Sequence, residues 1–413
     1  MPPAQPASSG DAFGDDAQPT SSLEPGPAKV PPSSRLSAAA WALRAQFFVS
    51  GALFATWGVH VPTVKAHYGL GEQSLALAML ASGVGAIIAL AQAGRVVGRF
   101  GPRGVAAAMS LLLCAAVAGL LLTQAYAGLL ITMVLFGCTA SLFDVAINAE
   151  ASEIEGRAGR PLMSGFHAMF SLGGMVGAGA GSLLPGWGIG AQTHLLLASL
   201  GALLMAWAAC LAMLPLTQSP DDAKHPLSLP RGPLALIGLL AALGLMTEGA
   251  MYDWSVLFLR QERQSDSSVA ALGYASFSLA MAMGRFGGDW VRARLAPVRL
   301  LVISGVLAAV GMATSLAVPV AAAGLVGFAL VGLGLSNVVP VLFSAASRLP
   351  GIAPAHGIAA VSAVGYLGMM AGPPLIGLIA EHRSLTMGLG CVVLMSVFMA
   401  LAAPRALGTL DKA

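Results

Sequence analysis

Residues 94–103 read Gly94-Arg95-Val96-Val97-Gly98-Arg99-Phe100-Gly101-Pro102-Arg103, a short basic stretch between two apolar runs. A similar string returns in the second half of the chain, at Gly284-Arg285-Phe286-Gly287-Gly288-Asp289. A second echo lies further along. Gly173 and Gly177 fall in one apolar run, and Gly368 and Gly372 in another, at nearly the same offset as the first pair of strings. Two echoes in a similar register indicate two related halves.

The runs around these strings are long and continuous. The chain has 413 residues, 57% of them hydrophobic and 9% charged, with a mean hydropathy of +0.80. A soluble domain carries about 25% charged residues. A cytosolic enzyme, a secreted module and a disordered chain are therefore excluded. A membrane span needs roughly 20 apolar residues. Twelve such spans fit, at about 38–63, 72–95, 103–124, 127–150, 162–184, 191–216, 233–259, 268–290, 297–318, 320–347, 355–380 and 385–407. The expected fold is an all-α membrane protein of twelve transmembrane helices in two pseudo-symmetric six-helix bundles. The runs lack the alternation of a β-barrel. The 51 glycines suit helices that approach closely in lipid.

The charges fix an orientation. With the N-terminus inside, the outer segments hold Lys65, Arg260, Arg263 and Arg383, and the inner ones the other 17 of 21 Lys and Arg (21 − 4). Positive residues gather on the cytoplasmic side, so both termini are expected there, in the inner (plasma) membrane. Residues 1–36 contain eight prolines and no apolar run. They read as a disordered cytoplasmic tail without the pattern of a secretory signal. The bundles are expected at 37–216 and 233–413, joined by a Pro-rich, charged cytoplasmic loop at 217–232. Cys114, Cys138, Cys210 and Cys391 lie singly inside apolar runs and read as packing residues, without disulfide or metal spacing.

Together these features resemble the major facilitator superfamily over about residues 37–408. Its most diagnostic loop, G-x-x-x-D-R-x-G-R-R after the second helix, is matched by Gly94, Arg99, Gly101 and Arg103. Gly98 replaces the family's Asp, and Pro102 stands inside the basic pair. The second copy, with Gly284 and Arg285, keeps an acid at Asp289. The resemblance implies a conformational latch on the cytoplasmic side at these seven residues. A narrower resemblance is to the fucose-permease-like branch. It rests on Asp144 with Asn148 on the fourth span, on the stretch Met163 to Gly173, and on Glu248 to Ser255 on the seventh. In the branch's sugar–proton symporters the acid matched by Asp144 gains and loses a proton during transport. Those symporters also carry an acid late in the first helix, where this chain reads Trp57-Gly58-Val59-His60-Val61-Pro62. Sugar specificity therefore does not follow.

The residues support part of this independently. A charged side chain at a helix centre costs at least about 2.5–3.5 kcal/mol in a bilayer. It persists where it faces a cavity, pairs, or takes up a proton. Asp144 and Asn148 are spaced i,i+4 on one face, as are Glu248 and Tyr252, with Ser255 nearby. Counted from the expected span ends, Asp144 and His167 both lie roughly 8–9 Å from the same side. An Asp144–His167 pair is therefore expected, as a proton relay or as a hydrogen bond locking two helices. Glu248 is expected in the outer half of the membrane. The proton-coupling candidates are Asp144, His167 and Glu248. The substrate-cavity candidates are Asn148, Tyr252, Asn337, Gln46, His60 and Trp57, with His60 a replacement for the missing first-helix acid. Asp253 reads as structural. Glu150, Glu153, Glu155, Arg157 and Arg160, in the polar inner loop at 151–161 and the helix ends beside it, read as solvated charges or latch contacts.

The function expected is secondary active transport of a small polar or amphipathic solute by alternating access, coupled to protons by symport. The alternatives are proton-coupled efflux of a metabolite or drug, and a transport-dead membrane sensor. The fifth span has no proline before Pro185, unlike the Gly-Pro signature of drug–proton antiporters. An enzyme is not expected, since no H-E-x-x-H, G-x-S-x-G or G-x-x-x-x-G-K-[ST] occurs. The expected partners are the solute, protons and the lipid bilayer, with no nucleic acid, no metal, no cofactor and a monomeric state.

Overall fold

The computed structural model describes residues 33–160, 162–215, 231–349 and 354–408. Nearly all of the expected tail and central loop lie outside them, as do the side chains of Asp289 and a few residues at the start of the penultimate helix. Thirteen α-helices occupy the described residues: α1 (Ser33–Tyr68), α2 (Glu72–Ala118), α3 (Tyr126–Ala158), α4 (Met163–Leu183), α5 (Ala191–Ala212), α6 (Pro233–Gln261), α7 (Ser267–Phe286), α8 (Gly288–Arg292), α9 (Pro297–Ala317), α10 (Ala321–Leu335), α11 (Val338–Ala346), α12 (Pro354–His382) and α13 (Leu385–Leu407). No strand occurs among these residues.

Among the described residues, eleven helical segments are long and apolar enough to cross a membrane. One of them, α2, has 47 residues, about 70 Å of helix against a hydrocarbon core of about 30 Å. It breaks at Gly101, where φ is 72° and ψ 154°, a conformation glycine adopts without steric cost. The diagnostic loop is thus a kink, and α2 is two spans, which makes twelve. The tenth span is also broken: α10 stops at Leu335 and α11 resumes at Val338. Bulky side chains on the outside, such as Ile131, Leu211 and Leu394, are about 70% exposed or more, as a lipid-facing surface requires.

Expectation and structure part at α3. The stretch expected to be a polar loop stays helical to Ala158. Arg157 pairs with Glu153 one turn back at 2.6 Å, and Gly159 ends the helix at φ 62°.

Glycines set the packing. A Cβ on Gly173 would run into the Phe48 carbonyl, and one on Gly177 would stand 2.7 Å from the Ala52 carbonyl. These two residues press α4 onto α1. Gly368 and Gly372 press α12 onto the Ala242 and Met246 backbone of α6. The echo read from the sequence is therefore the same helix contact made once in each bundle.

The bundles meet along α4–α7, α2–α12 and α1–α6. The α2–α12 contact involves the first turns of α2 and the last turns of α12. Gly377 sits against Ala76, and Met370 against Gly83. The halves are thus drawn together at the membrane face that carries residues 69–71.

Candidate functional site

Glu248 lies near the middle of α6, which runs from Pro233 to Gln261. At a rise of about 1.5 Å per residue it stands roughly 20 Å from either end, centrally and not in an outer half. Its Oε1 accepts from Tyr252 Oη one turn on at 3.0 Å. The same oxygen takes Arg285 of α7 at 3.1 Å. The Arg285 Nη1 donates across the bundle boundary to Ser171 Oγ of α4 at 2.9 Å. Ser164 of α4 donates to the Arg285 carbonyl at 3.1 Å. A polar chain Ser171–Arg285–Glu248–Tyr252 thus ties the two bundles in the membrane interior.

The latch reading of Arg285 comes from the repeated loop string, and the residue is indeed next to last in α7, which ends at Phe286. Measured from the α6–α7 turn, its Cα lies about 7–8 Å further along its helix than that of Glu248 lies along α6. The long arginine side chain closes that gap by reaching back into the membrane.

Rings line the same boundary. Trp57 and Phe136 centroids lie 6.3 Å apart, Phe136 and Phe54 5.2 Å, Phe54 and Phe170 5.9 Å, Phe170 and Tyr252 6.2 Å, Tyr252 and Tyr274 5.2 Å. This row runs from one bundle into the other. The Trp57 indole of α1 also lies within reach of the Asp253 carboxylate of α6, across the bundle boundary. Tyr366 of α12 is 45% exposed and within electrostatic reach of both Asp144 and Glu248. Its exposure is therefore to the space between the bundles. Sequence reasoning missed Tyr366, Tyr274 and the inward reach of Arg285. The signal for Arg285 was an arginine too few residues from the previous turn to clear the membrane.

Asp144 accepts from Asn148 Nδ2 at 3.0 Å, and the same nitrogen reaches the Asp144 carbonyl at 2.9 Å. The expected Asp144–His167 pair is not formed. Because α3 runs on to Ala158, Asp144 lies deep within it, whereas His167 follows closely on Met163, the first residue of α4. Their depths are about 21 and 6 Å. His167 instead stands edge-on to Phe47, with ring centroids 5.1 Å apart.

Three expected cavity polars point elsewhere. Gln46 is fully buried and donates to the Ala206 carbonyl of α5 at 2.9 Å. His60 faces His194 of α5, Nε2 to Nδ1 at 2.9 Å. Asn337 sits at the α10–α11 break and bonds the Gly284 carbonyl at 3.3 Å and Ser336 Oγ at 3.1 Å. Each satisfies a neighbouring helix within its own bundle, the usual use of a polar group inside a bundle. Glu150, read as a solvated charge or a latch contact, is not solvated: it is fully buried and accepts from the Leu214 amide at 2.6 Å, close to Arg103. Glu155 accepts from the Leu162 and Met163 amides at 2.5 and 2.8 Å, which caps α4. Arg99 lies over the Phe100 ring, and Gly94 is exposed. Among the described residues no group of three or more His, Cys, Asp or Glu could hold a metal ion.

Against known proteins, the profile of the Major Facilitator Superfamily matches residues 43–373. The chain belongs to the Major Facilitator Superfamily. An uncharacterised MFS-type transporter of Yersinia pestis is 36% identical over 87% of this chain and 94% of its own length. The membrane protein MosC of Rhizobium meliloti is 32% identical over 86% and 87%. Among solved structures, the nucleoside transporter NupG superposes with a TM-score of 0.72 at 12% identity, covering 89% of this chain and 99% of its own. A bacterial homologue of the human lysosomal transporter Spinster, inward-facing and unoccupied, gives 0.70 at 13%, covering 92% and 99%. At these identities the likeness is one of fold. This member of the Major Facilitator Superfamily is a multi-pass membrane transporter, not an enzyme.

Proposed function

We propose that this transporter uses a proton gradient to move a small polar or amphipathic solute by alternating access, with solute and proton travelling together. The carrying observation is the contrast between the two carboxylates deepest in their helices, Glu248 and Asp144; Asp253, which has the Trp57 indole beside it, stands more than a turn nearer the end of α6. Glu248 is matched by Arg285. Asp144 has the Asn148 amide one turn on, and no cation pairs with it among the described residues. A lone carboxylate in the membrane interior costs at least about 2.5–3.5 kcal/mol. Taking up a proton removes that cost, so Asp144 is the proton carrier.

The Ser171–Arg285–Glu248–Tyr252 chain crosses the bundle boundary and must be remade as the bundles rock. Its rearrangement links proton movement to access. Asn148, Tyr252 and Tyr366 offer amide and phenol groups beside the aromatic row, a surface suited to a solute with polar and apolar parts. Trp57 supports that row from α1. His167, over Phe47 and near Arg285, tunes the arginine's surroundings. The Asp144–Asn148 pair supports a place in the fucose-permease-like branch. The basic residues support cytoplasmic termini in a plasma membrane, with Gly94, Arg99, Gly101, Arg103, Gly284 and Asp289 in the cytoplasmic latch. A monomer of two six-helix bundles, 37–216 and 233–413, is the working unit.

The test uses proteoliposomes loaded with a pH-sensitive dye. Neutral sugars, organic acids and lipophilic cations are added outside in turn. A transported solute acidifies the lumen as it enters. Asp144→Asn keeps solute exchange while its acidification falls at least tenfold. Equal acidification by Asp144→Asn would overturn the assignment, and lumen alkalinisation on solute entry would convert the reading to export.

A further inference from the structure

At the membrane face carrying residues 69–71, four polar residues from both bundles converge. Lys65 Nζ lies 2.6 Å from Glu72 Oε1, joining the end of α1 to the start of α2. The Gln261 amide, at the end of α6 in the other bundle, closes a triad. With the amide oriented so that both of its atoms find partners, the oxygen accepts from Lys65 Nζ at 2.6 Å and the nitrogen donates to Glu72 Oε1 at 3.1 Å. The fourth residue is Glu381, in the last turn of α12. Its Oε2 accepts from the Gln73 backbone amide at 3.0 Å, and the carboxylate lies against Gly71.

The first amides of a helix have no partner within it. A side chain at the N-cap usually supplies one, but the N-cap of α2 is Gly71, which has none. The acceptor comes instead from the opposite bundle, and its negative charge faces the positive end of the α2 dipole. The bonds of Gln261 and Glu381 both cross between bundles, and both must break if this face is to open. Lys65 and Glu72 stay together on one bundle and form the socket that Gln261 leaves.

We infer that Gln261 and Glu381 are gate residues. They lock this face shut by filling the Lys65–Glu72 socket and by capping α2 in trans, so that their loss shifts the transporter toward the state open at this face. The inference goes beyond the proton-coupling reading and depends on neither solute nor proton.

A reporter lies beneath the lock. Ala76 packs under Gly377 and Gly83 under Met370. Met79, between them on the same stripe of α2, is 3% exposed. Met79→Cys is placed in a background with all four native cysteines replaced by Ser. Its modification by a membrane-impermeant maleimide is timed from each side of the membrane. Glu381→Ala and Gln261→Ala should each speed labelling about fivefold, the effect of losing one cap-sized interaction. The increase should be confined to the face carrying residues 69–71. Glu381→Gln retains an acceptor oxygen and should label more slowly than Glu381→Ala. General loosening is read from a parallel protein whose sole cysteine is the native Cys114, 3% exposed in the second part of α2. Its rate should not change. Equal Met79→Cys rates with and without the gate substitutions overturn the inference, as does acceleration at Cys114 to the same degree.

Discussion

Replacing Arg285 by alanine strips Glu248 of the one cation that bonds it among the described residues. The two side chains are 11% and 8% exposed, so water cannot stand in. Breaking a buried pair by removing one partner costs about 3–5 kcal/mol, because the remaining charge is left uncompensated. The geometry then predicts how neighbouring variants rank. Glu248→Gln combined with Arg285→Ala removes both charges and leaves a neutral amide that Tyr252 Oη, 3.0 Å from Glu248 Oε1, can still serve. This double variant should recover most of the loss. Arg285→Lys keeps the charge but cannot hold Ser171 Oγ and Glu248 Oε1 with two separate nitrogens as the guanidinium does. It should fall between the wild type and Arg285→Ala. The assay is thermal unfolding in detergent of the wild type, both single variants and the double variant, read as a double-mutant cycle, with a coupling of about 2 kcal/mol or more expected. A coupling below about 0.5 kcal/mol would refute the reasoning, since it would mean that the pair is solvated or that Glu248 is already neutral.

Close helix contacts give a prediction with a built-in control. Gly173→Ala, whose Cβ would enter the Phe48 carbonyl, should lose at least about 2 kcal/mol of stability by overpacking, while Gly165→Ala, with nothing within 4 Å, should be silent. Yields of monodisperse protein and melting temperatures decide it. His60→Ala and His194→Ala should each destabilise by about 1–2 kcal/mol. The double variant should cost no more than either alone, and solute exchange should survive, because the pair joins α1 to α5 and does not face the solute. Loss of exchange with stability intact would return His60 to the cavity. Gly101→Ala should cost about 1–3 kcal/mol, since φ 72° with ψ 154° is a region open almost only to glycine; this should be visible as a lower melting temperature, whereas Gly98→Ala, in open helix surroundings, should cost much less.

Much of this transporter was legible in its amino-acid sequence. Long apolar runs fixed the span count, because a bilayer of set thickness demands a set length of apolar helix. The glycine echoes at 173/177 and 368/372 marked the same helix contact in each bundle, because close backbone approach leaves room for no other residue. Asp144–Asn148 and Glu248–Tyr252 were readable because partners one turn apart are set by helix geometry alone. What lay between helices was not. Depth was misjudged for Asp144 and His167, since the end of a helix in a polar stretch depends on pairs such as Glu153–Arg157 that extend it past the apolar run. The facing of Gln46, His60 and Asn337 depends on rotation about the helix axis, which small changes in packing decide. Arg285 shows the limit most plainly. The sequence placed its Cα near a helix end, but the opposite direction of its side chain follows from where Glu248 and Ser171 stand, and that belongs to tertiary structure because three separate helices meet there.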